Sequence, residues 1–267
     1  MPESDRMLEK IIKYMKAHWP SEVKPEWQVG LNEYPVILER IVEDFTLAAT
    51  QNHHLIRIAG VSGSGKTTQI LPAVEAYCEK RGYEPILMAA RRFVEYHPHY
   101  REIKDFYGDE NLRKMTDEFA TIMLFLTLSE LIKGGYDIVL DVTLLDPEME
   151  AILLKLLEAG DYEMLLLMIA VSPTVTEYFL KGRAWRHTKE TELEFIRATG
   201  EALAFYAEVA PELHIILWGV YDKPPIYDGP IKGVFDIFAD YSARTDLPAA
   251  DDDVRRDAKI AYLADLK

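Results

Sequence analysis

Apolar positions along this chain change period near Leu55 and keep changing from there on. Before that point Leu8, Ile11, Ile12 and Met15 recur at helical spacing and stop at Pro20, which predicts a short amphipathic helix. A second helix is expected from Tyr34 to Thr50. At Leu55 a short apolar run, L-I-R-I-A-G, leads into a glycine-rich turn and then an amphipathic stretch through Tyr77, the order strand, loop, helix. Further runs of strand length lie at Pro85 to Ala89, Asp137 to Val142, Met164 to Val171 and His214 to Trp218. Helical patterns separate them at Asn111 to Ile132, Pro147 to Glu158, Val175 to Arg183 and Thr188 to Ala210. Strands alternating with long helices predict an α/β fold with a mostly parallel sheet covered on both faces.

After Tyr227 the pattern becomes irregular, and A-A-D-D-D-V-R-R-D with a closing helical stretch reads as a solvated tail. The expected organisation is an N-terminal helical extension over 1–50, a nucleotide-binding domain over 51–228 and a C-terminal tail over 229–267. At 267 residues with 49% hydrophobic content the chain can bury a sizeable core.

Charge narrows the partners. Thirty Lys and Arg against 45 Asp and Glu give a formal net charge of -15, a surface that repels nucleic-acid backbones and acidic membranes. A local phosphate site is compatible with that, because it needs only converging backbone N–H groups and a few cations. Cys78 stands alone, so neither an intramolecular disulfide nor a multi-cysteine metal site is expected. The opening M-P-E-S-D-R has no apolar signal core and no run reaches membrane-span length, so the expected location is the cytoplasm.

The segment G-V-S-G-S-G-K-T, Gly60 to Thr67, fits G-x-x-x-x-G-K-[ST] between an expected strand and helix. With glycine near 7% of residues, this coincidence arises in roughly one chain per hundred of this length before the flanking elements are required. Gly60, Ser62, Gly63, Ser64 and Gly65 would turn the backbone around the phosphates of ATP or GTP. Lys66 would bridge the β- and γ-phosphates, the Thr67 hydroxyl would hold Mg²⁺, and Thr68 would reach the α-phosphate. Kinases, ATPases and GTPases share such a loop. The absence of N-K-x-D argues against the usual GTPase, and a single domain with a helical lid argues for a small-molecule kinase.

Past this loop, R-R-F-V-E-Y-H-P-H-Y (Arg91 to Tyr100) resembles the zeta-toxin family, in which a Phe precedes His-Pro and an aromatic; here these are Phe93, His97, Pro98 and Tyr100. The likeness continues through Tyr107 to Glu110 and through G-G-Y-D-I-V-L-D-V-T-L, Gly134 to Leu144, and covers roughly Leu55 to Tyr227. It implies a kinase of a bacterial toxin/antitoxin system that phosphorylates a nucleotide sugar, UDP-N-acetylglucosamine, with a helical antitoxin as partner. It also implies that Asp141 stands where the family has a substrate-contacting Glu, that Thr143 matches the Thr after it, and that Arg186 opens a helix and reaches the ATP phosphates. The family's general-base Asp, two residues before the Phe, is Arg91 here, and its Arg after the strand-end Gly-Thr is Leu145.

An arginine stays protonated and cannot serve as a base, so Arg91 and Arg92 are candidates to bind an anionic substrate instead. Asp141, at a strand end, could accept the acceptor's proton or hold Mg²⁺. Arg183 and Arg186, with Lys181 and Lys189, form a cationic cluster where a lid would close. His97 is expected to be structural, at the turn before Pro98. The reading is therefore a kinase transferring the γ-phosphoryl group of ATP to a small hydroxylated acceptor. The alternative is a catalytically impaired nucleotide-binding or regulatory protein on the same fold.

Overall fold

The computed structural model describes residues 11–14, 22–61, 63–144, 147–172, 189–220, 222–244 and 252–266. Its centre is a six-stranded sheet of β1 (His54–Ala59), β2 (Ile86–Met88), β3 (Ile138–Asp141), β4 (Glu163–Ala170), β5 (His214–Gly219) and β6 (Tyr227–Pro230), in the order β2-β3-β1-β4-β5-β6. The first five are parallel and β6 pairs antiparallel with β5. The expected α/β class and mostly parallel sheet are what the chain adopts. All five expected strands form within a residue or two of their apolar runs. β6 was not expected, because its Y-D-G-P sequence carries no apolar alternation and holds its place by pairing with the edge of β5.

The longer helices among the described residues are α1 (Tyr34–Thr46), α2 (Leu71–Arg81), α3 (Tyr100–Tyr107), α4 (Asp109–Lys133), α5 (Pro147–Ala159), α6 (Lys189–Val209), α7 (Phe235–Ser242) and α8 (Asp252–Asp265). Strand alternation divides the core between the two sheet faces. Ile138 and Leu140 of β3 join Ile86 and Met88 against α4, α1 and the helical residues 11–14. Val139 of the same strand faces Val74 and Cys78 of α2, the side on which α8 also packs, whereas α6, with α7 beside it, lies on the opposite face and brings Tyr206 to Arg57 of β1. Ile11, Tyr34 and Ile41 are fully or almost fully buried, so the N-terminal helices pack onto the sheet domain. The expected helix from Val175 to Arg183 lies outside the described residues.

The C-terminal segment differs from its reading as a solvated tail. Helix α8 packs along α2, with Leu263, Arg255 and Lys259 all buried on one stripe. Arg255 Nη1 donates to the carbonyl of Val220 at 3.3 Å and Lys259 Nζ to that of Asp222 at 3.2 Å. Long cationic side chains bury their methylene stems when a carbonyl waits for the head group. Counting charges along the sequence does not reveal where those carbonyls lie.

Candidate functional site

The crossover from β1 to β2 runs to one side of β1, and the one from β3 to β4 runs to the other. The reversal opens a crevice at the carboxyl ends of β1, β3 and β4, where open α/β sheets bind ligands. Gly60 follows β1 directly at that point. Gly60, Gly63 and Gly65 have φ of 139°, 78° and 96°, left-handed conformations that favour glycine. At Gly60 the restriction is also spatial, since a Cβ there would sit 2.9 Å from Ser64 Oγ and 3.0 Å from the carbonyl oxygen of Ile169 on β4.

The loop passes into helix through a widened turn, Lys66–Ile70, in which the Leu71 N–H reaches back to the Lys66 carbonyl. Such wide turns recur at functional sites. Lys66 Nζ folds over the loop, donating to the carbonyls of Gly60 at 2.6 Å and Val61 at 3.1 Å. Thr67 and Thr68 are exposed on the first turn, and Thr68 Oγ1 is 3.5 Å from the Gly65 carbonyl. Ser64 is buried and its Oγ makes no hydrogen bond among the described residues. The N–H groups of a helix start, a lysine ammonium and an exposed hydroxyl suit a polyphosphate and its counter-ion. Ser62, Arg183 and Arg186 lie outside the described residues.

Asp141 ends β3 opposite Ile58 of β1, on the same sheet face as Val139 and therefore on the side of α2. Its carboxylate is nearly buried, at 4% side-chain exposure, and Oδ2 accepts a hydrogen bond of 3.0 Å from Arg91 Nη1. Arg91 lies in the single helical turn Ala90–Arg92 just after β2, so neighbouring strand ends bring the two residues together. The sequence singled out both residues, but as separate candidates. Arg92 points elsewhere: Nη1 donates to the Leu87 carbonyl at 2.7 Å, and the guanidinium lies 4.5 Å from the centre of the Phe45 ring. His97 is buried beside Phe119, with Nδ1 accepting the His99 N–H at 3.1 Å. Burial, with a smaller effect of nearby His99, lowers its pKa to about 4. It is a neutral structural residue, as the turn suggested.

Sequence reasoning passed over a buried group beneath the crevice. Arg57, in the middle of β1, points away from α2 and forms a two-pronged pair with Glu150 of α5. Nη2 donates to Oε1 at 2.8 Å and Nη1 to Oε2. Tyr206 of α6 donates its hydroxyl to Glu150 Oε2 at 2.5 Å, and Arg57 Nη1 also lies 3.1 Å from that hydroxyl. Burial works against the Arg57 charge, but Glu150 and Tyr206 outweigh it and hold its pKa above the usual arginine value. Arg57 Nη2 also contacts the Thr143 carbonyl at 3.4 Å, and Thr143 Oγ1 lies 3.5 Å from the Gly60 carbonyl. The group thus braces the segment after β3 against the glycine loop. The one available signal was a lone Arg inside an apolar strand.

The family model for zeta toxins matches residues 40–208. The chain belongs to the zeta toxin family. Within this family member the matched span begins in α1 and ends in α6, and so contains the glycine loop, Arg91 and Asp141. Among solved structures, this chain is similar to one from the PezAT chromosomal toxin-antitoxin system of Streptococcus pneumoniae. Identity is 20% and TM-score 0.63, over 89% of this chain and 98% of the other. It is also similar to a chain of the AvrRxo1-ORF1:AvrRxo1-ORF2 complex with sulphate ions, at 13% identity and TM-score 0.50 over 100% and 90% of the two chains. At these identities the likeness shows a shared fold. No curated protein matches the chain in sequence. No helix among the described residues is long and apolar enough to cross a membrane.

Proposed function

We propose that this zeta toxin family member is a kinase that transfers the γ-phosphoryl group of ATP, or of GTP, to a small hydroxylated acceptor such as a nucleotide sugar. The observation that carries this reading is the juxtaposition at the sheet's switch point. A glycine loop with three positive-φ glycines leads into Lys66 and Thr67, and the nearly buried carboxylate of Asp141 stands at the end of the adjacent strand.

The residues present fit a nucleotide. The Gly60 to Gly65 backbone can turn N–H groups toward phosphate oxygens, and Lys66, on releasing the Gly60 and Val61 carbonyls, would meet the β- and γ-phosphates. No group of three or more His, Cys, Asp or Glu that could hold a metal forms among the described residues. A Mg²⁺ ion would therefore rest on Thr67 and phosphate oxygens, in keeping with its usual mode beside nucleotides, with Asp141 as the further ligand or water anchor expected from the sequence. Bound ATP supplies the transferable phosphoryl group and Mg²⁺ neutralises part of its charge. Asp141 would orient the acceptor hydroxyl and take its proton. Arg186 and Arg183 would place positive charge near the transferring group.

The test is transfer from γ-labelled ATP with Mg²⁺ to a panel of nucleotide sugars and nucleotides, with Lys66→Ala as the blank. Transfer that Lys66→Ala abolishes supports the kinase; transfer unaffected by it would refute the role of the loop.

The Arg91–Asp141 pair also favours a second reading, a nucleotide-binding or regulatory protein whose carboxylate is engaged by its neighbour. Tight ATP binding without transfer to any acceptor, with transfer restored by Arg91→Asp, would select it. A helical antitoxin partner is supported by family membership and by the toxin-antitoxin system of the similar pneumococcal chain. Co-expression with the product of an adjacent small gene, followed by co-purification, tests that partner. The expected cytoplasmic location is kept as part of this reading.

A further inference from the structure

We propose that Arg91 is a specificity-determining residue that selects acceptors carrying an anionic group, a phosphate or carboxylate, close to the hydroxyl that is phosphorylated. This rests on the kinase reading and names the substrate class of the same site.

Arg91 uses Nη1 on Asp141, its one side-chain hydrogen bond among the described residues. That leaves the Nε and Nη2 edge of the guanidinium, the fork that matches carboxylate and phosphate oxygens two at a time. The side chain is 48% exposed above a carboxylate that is 4% exposed, so the fork remains accessible while Asp141 holds its other end. Arg92, the alternative from sequence, is occupied by the Leu87 carbonyl and the Phe45 ring.

The geometry sets the spacing of the acceptor. An anion on the fork and the Asp141 carboxylate are separated by two hydrogen bonds and one guanidinium, at most roughly 8 Å, and a hydroxyl on Asp141 lies one further hydrogen bond away, a span that a phosphorylated sugar can bridge. In a chain of net charge -15, an anionic acceptor beside Asp141 needs such a local cation. In the reaction the acceptor oxygen bonds to the γ-phosphorus as the bond to the β–γ bridging oxygen breaks. ADP leaves with that electron pair, and the hydroxyl proton passes to Asp141.

The experiment measures calorimetric binding of ribose 5-phosphate and of ribose to the full chain saturated with a non-hydrolysable ATP analogue. It is repeated with Arg91→Gln and Arg91→Lys, and steady-state transfer from ATP is followed in parallel. We expect ribose 5-phosphate to bind and ribose not to, and Arg91→Gln to weaken binding and raise KM at least about 10-fold with a smaller change in kcat. Arg91→Lys should recover part of the loss as a point charge, and affinity for the analogue should stay unchanged in both variants. Equal handling of ribose and ribose 5-phosphate, binding of neither, or indifference to Arg91→Gln would overturn the proposal. Binding that depends on Arg91 without any phosphoryl transfer would support the anion site while refuting the kinase reading. A chain that does not bind the analogue is tested in the same way without it, using Lys66→Ala to remove anion binding at the glycine loop.

Discussion

Arg91 and Asp141, which lie fifty positions apart in the chain, meet at 3.0 Å where β2 and β3 end side by side. The family resemblance places a general-base carboxylate at position 91. Here that position carries the cation, and the carboxylate stands across from it on the next strand. The two positions together still hold one acid group at the mouth of the crevice, and under the proposed kinase reading proton acceptance would fall to Asp141.

Asp141→Asn tests this directly. The amide keeps an oxygen for Arg91 but loses the capacity to take a proton, so phosphoryl transfer should fall by about 10²- to 10⁴-fold while ATP affinity stays within a few-fold. Single-turnover transfer and a separate ATP titration separate the two effects. Unchanged transfer would remove Asp141 from the chemistry.

Gly60→Ala should damage the loop through both backbone and contact. The native φ of 139° is one that L side chains rarely adopt, and the new Cβ would press on Ser64 Oγ and on the Ile169 carbonyl. A loss of about 1–3 kcal/mol of stability is expected, together with at least about tenfold weaker ATP binding. Urea unfolding and a fluorescent ATP analogue measure the two quantities.

Glu150→Ala leaves the Arg57 guanidinium charged and buried without its partner. The expected cost is about 3–5 kcal/mol in urea unfolding. Tyr206→Phe removes one hydrogen bond of the group and should cost about 1–3 kcal/mol. Replacing Arg57 and Glu150 together by Met and Leu should recover much of the single-variant loss, because no unpaired charge then remains.

His97 should make the fold acid-sensitive. Its ring is neutral when folded, with its pKa lowered from 6.5 to about 4 by burial and by His99. The unfolded chain binds a proton below about pH 6.5. The stabilising contribution is therefore complete above that pH and is lost as pH falls toward 4, to a total of about 3 kcal/mol. Urea midpoints compared between pH 7 and pH 4.5 should fall accordingly. An NMR titration of the His97 ring should show a midpoint well below that of an exposed histidine.

Much of this protein was legible in order along the chain. The glycine loop could be read because its chemistry is local: three glycines, Lys66 and Thr67 lie within eight consecutive residues, between an apolar run and an amphipathic one. The five parallel strands could be read because burial on both faces demands continuous apolar sequence. Sequence alone therefore determined the α/β class, the place of the loop and the apolar strands around it.

Tertiary structure decided which distant groups meet. Arg91 finds Asp141, and Arg57 finds Glu150 and Tyr206, only through strand neighbours and helices set by the order β2-β3-β1-β4. Strand β6 forms because β5 offers it an edge. Helix α8 docks because the carbonyls of Val220 and Asp222 receive Arg255 and Lys259. Pattern along a chain reports each residue's own preference for burial, whereas a buried charge is settled by a partner whose distance in space the pattern does not encode.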